Sequence, residues 1–98
     1  MTVSNEMYHF VFRIMGKPYS IEVDKNTTTD EFIRSIAEKI SEPEDKILLR
    51  LDLSLQIKGN AATRENAKEV DAQIQEQFKS NLVHFIQHSS HPIVIVRR

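Results

Sequence analysis

Three histidines near the end of the chain, His84, His88 and His91, come closest in type and spacing to a reactive site. His84 and His88 fall one helical turn apart, a spacing that can set two imidazoles on one metal ion. Both, however, fall off the apolar ladder of their segment, and a cation near a helix C-terminus is favoured by the helix dipole alone. No His-Glu pairing of the zinc-hydrolase kind accompanies them. The expectation is solvated histidines, no metal and no other cofactor. Ser89 and Ser90, beside His88 and His91, would need an ordered base and an oxyanion site to act as nucleophiles, and they read as loop residues. Acid–base catalysis by paired carboxylates needs two acids held in a cleft with separated pKa values. Glu42, Glu44 and Asp45 instead crowd into a proline-bearing, solvated turn. Gly16 and Gly59 are the only glycines, so no phosphate-cradling loop can be written. The absence of cysteine removes thiolate catalysis, disulfides and cysteine-bound zinc together. A non-catalytic protein is expected.

The elements that would carry a binding surface must come from one domain, because 98 residues is one domain's length. Apolar residues make up 40% and charged residues 28%, which is too apolar for disorder. Thirteen basic residues against fourteen acidic ones leave a net charge of −1. A phosphate-binding protein shows a basic excess, so the charge argues against nucleic acid. No apolar run has the length of a membrane span, and Met1–Glu6 is polar where a secretory signal would be apolar. With no cysteine, this predicts an intracellular protein, cytoplasmic or nuclear. Residues 1–6 read as a flexible lead and residues 7–98 as a single α+β domain.

Tyr8, Phe10, Phe12 and Ile14 alternate with His9, Val11 and Arg13. After Gly16-Lys17-Pro18, Tyr19, Ile21 and Val23 alternate with Ser20, Glu22 and Asp24. Two period-two runs about a glycine predict a β-hairpin over residues 7–24. Thr28 and Glu31 match a capping box, and Phe32, Ile33, Ile36, Ala37 and Ile40 follow at helical spacing. Pro43 should stop that helix near Ser41. Apolar residues at every odd position from Ile47 to Ile57 predict a long or bent strand, ended by Lys58-Gly59-Asn60. After a linker over 61–64, the ladder Ala67, Val70, Ile74, Phe78, Leu82, Phe85 and Ile86 predicts one long helix over about residues 64–88. Leu82, Val83, Phe85 and Ile86 crowd together, so its last turn is either deeply buried or meets a partner. Ile93-Val94-Ile95-Val96 has no alternation and predicts a strand buried on both faces or a central one.

The order β-β-α-β-α-β resembles the β-grasp, or ubiquitin-like, fold. The resemblance rests on the hairpin Tyr8–Asp24 with its Gly16-Lys17 turn, and on Ser20-Ile21-Glu22-Val23 leading into a threonine-rich helix start. It also rests on Lys46-Ile47-Leu48-Leu49-Arg50-Leu51 after a proline-bearing turn, and on the terminal Ile93-Val94-Ile95-Val96. It implies a four-stranded sheet with two helices packed on one face. Modifiers of this family end in Gly-Gly; the given sequence ends in Arg97-Arg98, so conjugation is expected only if the chain is a truncated one. If Tyr8, Phe10 and Phe12 face the core, Val11, Arg13, Leu48, Arg50 and Arg97 share the open sheet face. Arginine among apolar groups is the composition of an interface core. The expected function is a protein-interaction module or adaptor that binds another protein through this face. The alternative is a small α+β protein that self-associates as a homodimer, or binds RNA, through its sheet, with Tyr8, Phe10 and Phe12 turned outward as a base-stacking platform.

Overall fold

A computed structural model describes residues 7–51, 61–79, 81–88 and 93–97. The lead over 1–6, the far half of the long strand with its Lys58-Gly59-Asn60 stop, Ser89 to Pro92, and Arg98 lie outside the described residues. The chain is α+β. Strands β1 (Tyr8–Ile14) and β2 (Lys17–Val23) precede helix α1 (Thr29–Ile40) and a 3₁₀ turn (Glu44–Lys46). Strands β3 (Ile47–Arg50) and β4 (Ala61–Ala62), helices α2 (Ala67–Phe78) and α3 (Leu82–His88), and strand β5 (Ile93–Val96) follow.

The hairpin forms as its alternation dictates. The pairing Ile14↔Lys17 leaves a two-residue loop of Met15 and Gly16, with φ of 52° and 82°. Two successive positive φ values are the type I′ pattern, whose twist matches that of the strands. Gly16 adopts this at no steric cost, whereas Met15 pays the Cβ–carbonyl clash of left-handed backbone. Met15→Asn is therefore expected to stabilise the domain by about 0.5–1 kcal/mol, because asparagine tolerates that region. Urea titration checks this, and a loss of stability would mean that the loop has another geometry.

Asp24 then folds back on itself. Its carboxylate accepts from the Asn26 N–H at 2.8 Å, and its own N–H donates to Thr27 Oγ1 at 3.0 Å. This Asx-type turn aims the chain into α1. Thr28 Oγ1 accepts from the Glu31 N–H at 3.3 Å, the first half of the predicted capping box. The helix ends at Ser41 (φ 59°), with Glu42 N–H donating to Ala37 O and Ser41 N–H to Glu38 O. That is a Schellman-type closure, completed before Pro43.

The expected single four-stranded sheet is not what forms. Among the described residues there are two antiparallel sheets, β1–β2 and β4–β3–β5. β5 pairs with β3 along its whole length, Ile47↔Val96 to Arg50↔Ile93, and β1 pairs fully with β2. β1 and β5 are each paired along one edge, and they lie side by side without a ladder between them. Phe12 of the first sheet and Val94 of the second are both buried in one common core. β5 is also open on one face: Val94 is buried while Ile95 is 37% exposed. An all-β-branched run could not show which side faces water.

Two further expectations fail. The linker at 61–64 begins with β4, where Ala61 and Ala62 are buried opposite Arg50 and Leu49. The Asn66 side chain fastens this edge, donating to Ala61 O at 2.9 Å and accepting from Thr63 N–H at 2.7 Å. The single long helix is in fact two. Lys79 takes φ 51° and its N–H closes α2 on Gln75 O, and Asn81 Oδ1 caps α3 through the His84 N–H at 2.8 Å. The break turns α3 so that Leu82, Val83, Phe85 and Ile86 are all buried. Their crowding is core packing, and no partner is needed to explain it. Lys79→Gly should raise stability by about 0.5–1 kcal/mol, since glycine suits the left-handed cap. In an unbroken helix the same change would cost about 1 kcal/mol, so the sign of the change in urea midpoint tests the break.

The core lies between the sheets and α1, around Phe32, Ile33, Ile36, Ile47 and Leu49, each at most 1% exposed. α1 covers β2 and β3, and α2 packs against α1 with Val70 and Ile74 in the same core. Among the described residues, no helix is long and apolar enough to cross a membrane.

Candidate partner-binding surface

The outward residues of β1, β5 and β3 form the open face. Phe12 is buried and Tyr8, Phe10 and Ile14 are half-buried against the core, so His9, Val11 and Arg13 turn to solvent. Phe10 meets Phe32 edge-on at 5.5 Å and Phe12 stacks on Tyr19 at 5.7 Å. These aromatics are occupied within the fold and are not presented on the open face as a base-stacking platform.

Val11 is 68% exposed, opposite Ser20 on β2. Leu48 is half-buried and lies directly opposite Ile95 across the β3–β5 ladder. With β1 beside β5, Leu48, Ile95 and Val11 come from three neighbouring strands. Arg13 and Arg50 are exposed, one beside the hairpin tip and one at the far end of β3. Neither forms an ion pair among the described residues. Arg97 stands apart from this group: its N–H donates to Lys46 O at 2.7 Å and its guanidinium to Asp45 O at 2.9 Å. It faces the 3₁₀ turn and the end of the sheet. Ile95 is the residue that sequence reasoning missed, for want of alternation in β5.

The acidic turn is a latch. Glu44 reaches Arg34 at 3.2 Å and Arg64 at 3.4 Å, and Asp45 meets Arg64 at 2.7 Å. The Arg64 guanidinium is held above its ordinary value by its hydrogen bond to Asp45 first, and then by the charges of Asp45 and Glu44. His84 is exposed on α3; His91 and the His88 side chain lie outside what is described. Among the described residues, no three metal-ligating side chains converge.

Comparison with family models, with curated proteins and with solved structures gives no significant match.

Proposed function

We propose that the chain is a β-grasp-like, non-catalytic interaction module that binds another protein through its open sheet face. One observation carries this reading: Leu48 and Ile95 stand opposite each other beside the exposed Val11, flanked by Arg13 and Arg50. Apolar side chains with unneutralised arginines at their margin are what interface cores select. The β-grasp element of the reading is supported by laying the two sheets edge to edge in the order β2-β1-β5-β3-β4, in which β1 and β5 both end at the same cleft. Amide contacts between β1 and β5 running in the same direction would be expected by NMR.

The test is a photo-crosslinking residue placed at Val11, compared with one at Glu38 on the outer side of α1. The expected result is a heterologous partner crosslinked from position 11 only. Val11→Asp with Ile95→Asp should weaken that partner by more than about tenfold, as central hot-spot losses do. Each should cost under about 1 kcal/mol of stability, because both side chains are exposed. Crosslinks solely between copies of this chain would instead establish self-association through the sheet. Equal crosslinking from both positions would sink the sheet-face reading.

A further inference from the structure

A second surface opens at one end of the fold, where the hairpin tip, the C-terminal end of α1 and the end of β5 part. The cleft there has a volume of about 820 Å³, within the range of ligand sites. Its floor is apolar: Ile14, Tyr19, Ile40 and Val96 point toward the core yet stay half-buried around this one opening. Its rim carries Arg13, Lys17, Lys46 and Arg97 against a single acid, Glu42. The chain as a whole carries −1, so this end is locally opposite in sign to the molecule.

The rim cations are oriented without being neutralised. Arg97 donates to the Asp45 carbonyl at 2.9 Å and Arg13 to the Gly16 carbonyl at 3.5 Å, while Lys17 sits 5.5 Å from the centre of the Tyr19 ring. Carbonyls and a ring face position a cation but do not cancel its charge. Among the described residues, only Lys46 of the four forms an ion pair, with Glu42 at 3.9 Å. Arg34 and Arg64, by contrast, are paired with Asp30, Glu44 and Asp45. Arg13, Lys17 and Arg97 thus bring three cations with no carboxylate partner among the described residues to the rim of one apolar floor.

We propose that this cleft binds an acidic peptide, which seats one apolar side chain on the floor and spreads its carboxylates over the rim. Four cations on separate elements suit several carboxylates spaced along a chain better than one anionic head group. Arg13 and Ile95 border both surfaces, but the cleft's floor lies on the inner side of the strands, so the cleft does not depend on the sheet-face reading.

The experiment is fluorescence anisotropy with a labelled short peptide holding one phenylalanine between runs of glutamate, together with amide chemical-shift mapping. Saturable binding is expected, weakening as salt rises, with shifts at Ile14, Tyr19, Ile40 and Val96. Lys17→Glu with Lys46→Glu should weaken it by about tenfold or more, while circular dichroism shows an intact fold. Val11→Asp, at a position outside the cleft lining, should leave it unchanged, which separates this site from the sheet face. Replacing the peptide's phenylalanine by serine should abolish binding. No detectable binding, equal binding of a lysine-flanked peptide, or indifference to the charge reversals would overturn the proposal. So would displacement by equimolar dodecanoate, which would point to a single-headed amphiphile.

Discussion

Phe32→Ala is expected to be the most damaging single substitution in the helical layer, costing about 3–5 kcal/mol. Phe32 is 1% exposed on the inner side of α1 and meets the Phe10 ring edge-to-face at 5.5 Å. It joins α1 to β1 across the core. Truncation removes the transfer energy of a large ring and leaves a cavity bounded by elements that cannot collapse independently. A domain of this size has total stability of only about 5–15 kcal/mol, so the loss is a large fraction of the whole. The melting temperature should fall by on the order of 15–30 °C. Phe32→Leu keeps most of the volume and should lose about 1–2 kcal/mol. Urea unfolding followed by circular dichroism measures both. A loss under about 1 kcal/mol for Phe32→Ala would mean that α1 is not seated on the hairpin.

Asp71→Ala should cost about 2–3 kcal/mol, although Asp71 is only half-buried. Its carboxylate, on α2, accepts from both the main-chain N–H and the hydroxyl of Thr29. Thr29 is the first residue of α1 and is 0% exposed. The N–H is one of the donors a helix start leaves unsatisfied, and burial bars water from replacing the lost acceptor. A carboxylate there also suits the positive end of the α1 dipole. Asp71→Asn keeps an acceptor and should retain about half of the effect. Thr29→Val removes the hydroxyl while the N–H bond remains, so it should cost less than Asp71→Ala. A double-mutant cycle of the two should show coupling of about 1–2 kcal/mol. Additive losses would show that α2 is held to α1 by Val70 and Ile74 alone.

Much of the N-terminal half could be read from short-range rules. Alternation about Gly16 set the hairpin, Thr28 and Pro43 bounded α1, and the outward placing of Val11, Arg13 and Arg50 followed from strand period. These features depend on neighbours within a few residues, where steric preference and capping decide the outcome. The helix break at Lys79 did not announce itself, because the ladder continues through it and no glycine marks the left-handed residue. What drives the break is burial of Leu82, Val83, Phe85 and Ile86 against the rest of the core, a tertiary gain larger than the cost of one strained residue. Only the folded molecule decided that Ala61-Ala62 forms an edge strand, that Ile95 faces water, and that β1 and β5 meet without a ladder. It alone decided that Arg13, Lys17, Lys46 and Arg97 would surround one apolar floor. Pairing and charge between separate segments depend on which of them share a core, and local periodicity carries no record of that.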